Sequence, residues 1–453
     1  MTAEDVYKSL PITLQHLACS IEGWRLSSRR YDHEFRGINK TLNRRAESSL
    51  TEGEKLKNTR LRAHVQAALH SPFWEERFEQ YGVNVSVERL EEELKKLPIL
   101  TKKEVQDQVE NIQSPAIKKD NLLSSHTSGT TGSGLVFYET SAAEKERWAV
   151  WWRYRGWHDI TQDMWCGYFG GRSVVPLTQS GPPFWRLNYP GRQILFSGYH
   201  LSPQTSADYL TALDEYSPPW LHGYPSLLSL LAGYLLERGK PLRKSPSIVT
   251  TGAENLLPQQ KDLMENAFGC PVRQHYGQAE SVANISECPR GHLHVDEDFS
   301  LIEFVPLIDQ PDVYRIVGTN WSNPAFPLLR YDTGDLARLP AERPTCRIAG
   351  RVVESIDGRK EDYVVLPSGA RLGRLDHIFK DLTQIREAQI YQPDHETIIF
   401  RIVKREGYTH TDERRLLGEA QKRLGREVVI KVDYVSCLER SKTGKLRFVV
   451  SKI

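Results

Sequence analysis

Between about residues 121 and 357 the chain alternates two hydrophobic periodicities, and that alternation narrows the folds open to it more than any other feature. Short apolar runs such as Pro246-Ser-Ile-Val-Thr-Thr251 and Val313-Tyr-Arg-Ile-Val317 read as strands, and stretches such as Ser226 to Arg238 between them read as helices. A chain built this way covers its sheets with helices, which is an α/β body. Glycine-bearing turns close most of the runs, and in α/β sheets such turns build ligand sites. The flanks have a different texture. Residues 1 to about 120 read as mainly helical, with Leu90, Leu94 and Leu97 at i, i+4, i+7 among Glu and Lys and a similar mixture over Arg60 to Leu69. Beyond about 357 the pattern becomes compact α+β: a strand over Thr397 to Val403, an amphipathic helix near Thr411 to Leu424, and strands over Val428 to Val435 and Leu446 to Val450. At 453 residues the chain exceeds what one core supports. The expectation is an α/β fold: a large multi-subdomain N-terminal body over 1–357 with β-sheets flanked by helices, divided into a helical segment 1–120 and an α/β body 121–357, followed by a small α+β C-terminal domain over 358–453. The boundary falls near Asp357 to Glu361, and no internal repeat is visible.

Charge limits the partners. Lys plus Arg (60) nearly balance Asp plus Glu (58), and a formal charge of +2 gives no footprint for nucleic acid or an anionic membrane. An anionic ligand must therefore be held by local groups. The six cysteines (Cys19, Cys166, Cys270, Cys288, Cys346 and Cys437) are scattered and form no disulfide framework. The N-terminus is acidic where a signal peptide is basic, and no run is apolar for long enough to span a bilayer. A soluble, cytoplasmic protein is the expectation.

Four motifs carry chemistry. In Ser125-His-Thr-Ser-Gly-Thr-Thr-Gly-Ser-Gly134 three glycines let backbone amides approach phosphate oxygens, and the hydroxyls add donors without bulk. The Gly-Lys-Ser/Thr ending of a Walker loop is absent, and the bland reading is a flexible turn. Tyr331-Asp-Thr-Gly-Asp335 offers a carboxylate fixed by a tight turn, able to accept two ribose hydroxyls; the alternative is that Asp332 and Asp335 only make side-chain turns. Gln274-His-Tyr-Gly-Gln-Ala-Glu280 sets an aromatic, a glycine and a glutamate in short reach. Glu280 suits Mg²⁺ and Tyr276 a base or acyl pocket, whereas the bland reading of Glu280 is a solvated side chain after a strand. In Ser441-Lys-Thr-Gly-Lys-Leu-Arg447, Lys445 is either a phosphate contact or part of a solvated strand tip.

In order and spacing these motifs resemble the adenylate-forming enzymes: acyl-CoA synthetases, adenylation domains and luciferases. The resemblance runs from about residue 70 to the end. It implies that Thr127, Ser128, Gly129, Thr130, Thr131 and Gly132 hold the β- and γ-phosphates of ATP, and that Gly252, Ala253 and Glu254 lie beside adenine. Tyr276 and Gly277 supply the aromatic segment and Glu280 the Mg²⁺ carboxylate. Asp335 binds ribose, Arg359 contacts ribose or phosphate, and Lys445 is the adenylation lysine. The C-terminal domain is then mobile, turning about a hinge at Glu361. Within the family the chain looks closest to the phenylacetate-CoA ligase-like branch, which includes capsule-biosynthesis homologues. That placement follows from the missing lysine after the phosphate loop, the Asn320 to Asp335 stretch and the short C-terminal domain. Three departures stand out: Leu135 occupies the position of a lysine found in many relatives, Glu361 replaces an aspartate, and Gly350-Arg351 competes with Gly358-Arg359 for one motif position. The second pair is preferred because Lys360-Glu-Asp362 follows it.

The implied reaction is attack of a substrate carboxylate on the α-phosphorus of ATP with release of pyrophosphate, followed by acyl transfer to CoA. One alternative is an amide ligase that uses an amine in polysaccharide or natural-product assembly. The other is a catalytically degenerate nucleotide-binding protein. Phe169, Arg172, Tyr224 and Pro225 are expected to wall the acid pocket, with the aromatics favouring an aromatic acid and Arg172 a second carboxylate or a sugar acid. Trp148, Trp151 and Trp152 fall at helical spacing and read as core. Some relatives in this branch carry a Cys/His structural metal site. Cys288, His294 and Cys346 match three ligands, but the fourth is not evident, although His292 is near, so Zn²⁺ is not expected. A monomer or homodimer is compatible with all of this.

Overall fold

The computed structural model describes residues 3–45, 50–126, 135–171, 174–202, 204–254, 256, 258–307, 310–342, 344–357, 364–369, 371–372, 375–379, 382, 384–404, 407–436, 438 and 449–453. The N-terminal segment is helical as its spacing requires: α1 (Ala3–Ser9), α2 (Ile12–Arg30), α3 (His33–Arg45), α4 (Leu50–Ala68), α5 (Pro72–Gln80), α6 (Leu90–Leu94), α7 (Lys102–Asp107) and α8 (Val109–Ile112). Leu90, Leu94 and Leu97 are buried in one core with Leu61 and Val65 of α4. Thr101 and Glu104 cap α7 reciprocally, satisfying two backbone donors that the first turn leaves over.

A hairpin, β1 (Leu122–His126) and β2 (Val136–Thr140), comes next, then α9 (Ser141–Gly156). The body is a nine-stranded sheet. In chain order its strands are β3 (Cys166–Gly170), β4 (Trp185–Asn188), β5 (Gln193–Ser197), β6 (Trp220–Gly223), β7 (Ile248–Gly252), β8 (Val272–Gly277), β9 (Asn284–Glu287), β10 (Leu293–Val295) and β14 (Val352–Val353). Their spatial order is β14-β10-β9-β8-β7-β6-β3-β5-β4. The run β5-β3-β6-β7-β8 is parallel, and both ends of the sheet are antiparallel. Residues Ile248 to Thr251 of β7 are all buried because helices cover both faces, which is why that strand reads as a continuous apolar run. Helix α9 covers one face, where Tyr168, His222 and Thr250 share register. The other face carries α10 (Ser206–Tyr216), α11 (Pro225–Glu237) and α12 (Pro258–Phe268), packed on Phe169, Leu221 and Val249. Trp148, Trp151 and Trp152 pack within the body, Trp151 against the ring of His275 at 5.3 Å.

An antiparallel sheet of β11 (Ser300–Leu307), β12 (Gln310–Asn320), β13 (Tyr331–Arg338) and β15 (Ser355–Asp357) abuts this body and shares the core of the N-terminal helices. Leu100 ties those helices to the start of β13: its N–H donates to the Arg330 carbonyl and its carbonyl accepts from the Asp332 N–H, both at 2.9 Å. A two-stranded ladder, β16 (Val364–Val365) and β17 (Arg371–Leu372), precedes the C-terminal sheet of β18 (Ile385–Gln392), β19 (Thr397–Lys404), β20 (Val429–Tyr434) and β21 (Val449–Ser451), ordered β20-β19-β18-β21. Helix α13 (His410–Leu424) covers that sheet with Leu416, Ala420 and Leu424, and the C-terminal sheet has a core of its own. The expected break near Asp357 to Glu361 runs into residues 358–363, outside the described residues. Among the described residues no helix is long and apolar enough to cross a membrane.

Candidate active site

Among the described residues, the candidates on the nine-stranded sheet gather at the carboxyl ends of neighbouring parallel strands, the edge at which open α/β sheets bind ligands. Phe169 is at the end of β3, Tyr224 and Pro225 follow β6, Gly252 closes β7 with Ala253 and Glu254 after it, and Tyr276 and Gly277 close β8. The strand tips touch. The Tyr224 N–H donates to the Phe169 carbonyl at 2.9 Å, a Cβ on Gly171 would lie 2.7 Å from the Tyr224 hydroxyl oxygen, and the Tyr199 hydroxyl donates to the Gly171 carbonyl at 3.2 Å. Phe169 itself is fully buried, stacked on Phe196 at 4.5 Å, so it packs beneath this edge while Tyr224 lies closer to it.

Asp335 arrives from the other sheet. The Tyr276 hydroxyl and the Gln278 side-chain amide both donate to its Oδ2, at 2.8 and 3.0 Å, and the same Gln278 amide donates to the Tyr276 oxygen at 2.9 Å. The Asp335 N–H donates to Thr333 Oγ1 at 3.0 Å, and that hydroxyl donates to the Ile316 carbonyl at 2.8 Å, fixing the carboxylate to β12. Asp332 is the side-chain turn: its Oδ1 accepts from the Gly334 N–H at 3.0 Å, Gly334 has φ +76°, and its other oxygen pairs with Arg315. The side-chain-turn reading of Tyr331-Asp-Thr-Gly-Asp335 thus holds for Asp332.

Glu280 is 8% exposed, which removes the solvated-side-chain reading. The Tyr331 hydroxyl donates to its Oε1 at 3.3 Å and Asn320 Nδ2 donates to its carbonyl at 3.0 Å. Ala253, Ser281 and Arg330 hold φ of +68°, +57° and +52°, a conformation L side chains adopt at a cost, and all three lie within this region of chain.

A buried network behind Glu280 was not anticipated from the sequence. Arg147 of α9 donates to both oxygens of Glu139 at 2.6 and 2.8 Å, and Ser125 of β1 donates to the same carboxylate at 2.5 Å. Arg147 also reaches the Ala279 carbonyl at 3.2 Å and Ser281 Oγ at 3.3 Å, on either side of Glu280. Glu139 and the Glu280 charge help hold the guanidinium proton against the cost of burial. The network joins the hairpin that flanks residues 127–134 to the turn that carries Glu280. Residues 127–132, Arg172, Arg359, Glu361 and Lys445 lie outside the described residues. Leu135, in the position where many relatives carry lysine, is buried.

Arg351, the rival of Arg359, is engaged elsewhere. It pairs with Glu297 at 2.6 Å and lines a cavity of about 310 Å³ between the N-terminal helices and residues 295–298. Two other cations lining that cavity pair with acids in the same wall, Lys57 with Glu91 at 2.9 Å and Arg153 with Asp298 at 2.7 Å, and apart from Arg351 none of the candidate residues belongs to it.

Cys288, His292, His294 and Cys346 converge, one ligand atom from each lying within 4.8 Å of the others. The β9–β10 hairpin brings the first three together, and long-range folding delivers Cys346, whose Sγ is 3.9 Å from that of Cys288. A tetrahedral zinc with Zn–S of ~2.3 Å sets two sulfurs just under 4 Å apart. His292 Nδ1 is buried with no hydrogen-bond partner among the described residues. His292 is therefore placed to be the fourth ligand that the sequence left in doubt.

Comparison with known proteins agrees with the architecture. Residues 367–452 match the family model described as the CapK C-terminal domain. The chain is 27% identical over 465 aligned residues to the protein CapK of Staphylococcus aureus, covering 99% of each chain. It is 28% identical over 168 residues to a phenylacetate-coenzyme A ligase of Thermus thermophilus, covering 34% of this chain and 37% of that one. Its fold is similar to that of 2-hydroxyisobutyryl-CoA ligase in complex with 2-HIB-AMP and CoA, with a TM-score of 0.57 and 19% identity over 90% of this chain and 91% of that one. The postadenylation-state structure of the same ligase gives a TM-score of 0.56 at 18% identity over the same shares. The whole-length similarity to CapK, the partial similarity to a phenylacetate-coenzyme A ligase and the fold shared with a CoA ligase agree with the resemblance to the adenylate-forming enzymes and to their phenylacetate-CoA ligase-like branch.

Proposed function

We propose that the chain activates a carboxylic acid with ATP, releasing pyrophosphate to form an acyl-adenylate, and then passes the acyl group to CoA. The observation that carries this reading is the bonding of Asp335 to Tyr276 and Gln278 at the carboxyl edge of the parallel strands, with a buried glutamate behind it. In this reading Asp335 accepts the ribose hydroxyls, and Tyr276 and Gly277, with Gly252, Ala253 and Glu254, frame the base. The amides of Thr127 to Gly132 cradle the β- and γ-phosphates. Arg359 contacts ribose or phosphate, and Lys445 meets charge developing at the α-phosphorus. Tyr224, Pro225, Phe169 and Arg172 shape the acid pocket, and Glu361 is the hinge. Glu280 is the residue that would hold Mg²⁺: a carboxylate oxygen suits that cation, which usually takes one or two protein carboxylates and completes its shell with phosphate and water. Bound there, the cation would neutralise phosphate charge; the protein's own part is to orient the two anionic reactants and hold water away.

Mass spectrometry of enzyme incubated with ATP, Mg²⁺ and a panel of aryl, amino, fatty and sugar acids tests this reading. An acyl-AMP species with at least one acid is expected, and adding CoA is expected to consume it with formation of a thioester. Consumption by amines and not by CoA would make the chain an amide ligase. Absence of any acyl-AMP, with nucleotide bound, would leave it a nucleotide-binding protein.

The four converging side chains support a second, structural role. They suit a closed zinc site that pins Cys346 to the β9–β10 hairpin. Metal analysis of protein purified without chelator is expected to find about one zinc per chain, lost in Cys346→Ser. Equal metal content in wild type and variant would contradict the site.

A further inference from the structure

Helix α2 has its amphipathicity inverted. The side against the body is polar or small: His16 Nδ1 accepts the Leu187 N–H at 2.9 Å, Gln15 accepts from buried Arg186 at 2.7 Å, the Tyr189 N–H donates to Ser20 Oγ at 3.2 Å, and Gly23 sits so close that a Cβ would overlap Asn188. The outward side is apolar, with Leu14, Leu17, Ile21 and Trp24 exposed by 44%, 55%, 59% and 64%. A surface helix that ends at water shows the reverse order. Tyr189, 57% exposed beside Ser20, extends the patch from the neighbouring strand.

The spacing 14, 17, 21, 24 is the three-four-three interval of a seam between two helices, kept over ten residues. We propose that this face binds a second copy of the chain about a two-fold axis, with Leu17 and Ile21 at its centre. Charge favours that occupant over a lipid surface or an oppositely charged protein. Arg25 pairs with Glu22 on the same helix at 2.7 Å, and Arg29 and Arg30 converge on Glu144 of α9 at 2.7 and 2.8 Å. The rim thus keeps few cations for anionic headgroups, the stripe is uncharged, and a net charge of +2 sets up little repulsion between copies. The size suits it as well. The patch exposes apolar surface on the order of 500 Å², at the upper end of what a monomer shows. Two such patches bury about 1,000 Å² in total, near the lower bound for a specific interface.

Sedimentation equilibrium on the full-length protein is expected to give twice the chain mass of 51.9 kDa. Ile21→Glu is expected to give the single-chain mass with an unchanged melting curve, and Leu17→Lys, also at an exposed position, is expected to behave alike. A wild-type protein that stays at the single-chain mass up to its solubility limit overturns the proposal, as does a dimer that survives both substitutions. Flotation with phosphatidylglycerol–phosphatidylcholine vesicles is expected to leave wild type unbound. Vesicle binding by a monomeric wild type, lost in Ile21→Glu, would assign the stripe to lipid and overturn the self-association.

Discussion

Glu280 and Asp335 are both carboxylates at one edge of the body, yet the chain holds them differently. Asp335 is aimed by two donors on one oxygen, whereas Glu280 is buried within reach of a guanidinium that Glu139 already occupies. That occupation keeps Arg147 from pairing with Glu280, the oxygen source the proposed cation needs. Glu139→Gln strands a buried arginine, and such losses cost about 3–5 kcal/mol. Chemical denaturation is expected to show that loss, and the double variant Glu139→Gln/Arg147→Met to recover most of it; a single variant as stable as wild type would contradict the pairing. At this scale the sequence was partly legible. The side-chain turn at Asp332 or Asp335 could be posed from composition, but the setting of Asp335 depended on Tyr276 arriving from another sheet. Glu139 left a signal that went unread: it shares the inward, period-two face of β2 with Phe137, where a carboxylate needs a partner.

Elements were legible where burial made the pattern strong. Strands β7, β12 and β19 and helices α11 and α13 fall within a few residues of their apolar runs, because two-sided or one-sided burial writes its own periodicity. Sheet order and the antiparallel strands added at both ends were not legible, since they depend on pairings between distant segments. The convergence of Cys288, His292, His294 and Cys346 was only partly legible: three of the four could be named, but that they meet depends on Cys346 arriving from 58 residues beyond Cys288. Buried histidines on these elements predict an acid limit. Burial, aided by nearby arginines, pushes His64 of α4, His222 of β6 and His275 of β8 down to about 3, from an ordinary 6.5. A histidine depressed on folding stabilises fully above 6.5 and loses that contribution as pH falls from 6.5 toward 3. His64 alone should cost about 1.4 kcal/mol per pH unit in that window. Melting temperature is expected to fall between pH 6.5 and 5, before most carboxylates titrate, and His64→Gln is expected to flatten the slope; an unchanged slope would contradict the assignment.

At the scale of the whole molecule, α9 gathers the N-terminal helices onto the body by charge: Glu144 takes Arg29 and Arg30, Lys145 takes Asp32 and Glu34, and Arg153 takes Asp296 and Asp298. The site rests on that frame, with Asp335 on one sheet and Tyr276 on another, while the C-terminal sheet has a core of its own. If the small lobe turns between half-reactions, Glu361 must absorb a backbone change. Glu361→Pro is then expected to impair adenylation and acyl transfer unequally when each is timed separately, and equal losses would argue against a hinge there. The central claim is that the edge holding Tyr276, Glu280 and Asp335 makes an acyl-adenylate. Its most direct test is acid-dependent exchange of labelled pyrophosphate into ATP, comparing wild type with Glu280→Gln. The account predicts exchange with at least one acid class and a loss on the order of a hundredfold in the variant; exchange that proceeds equally well in Glu280→Gln, or that no acid supports in wild type, would contradict it.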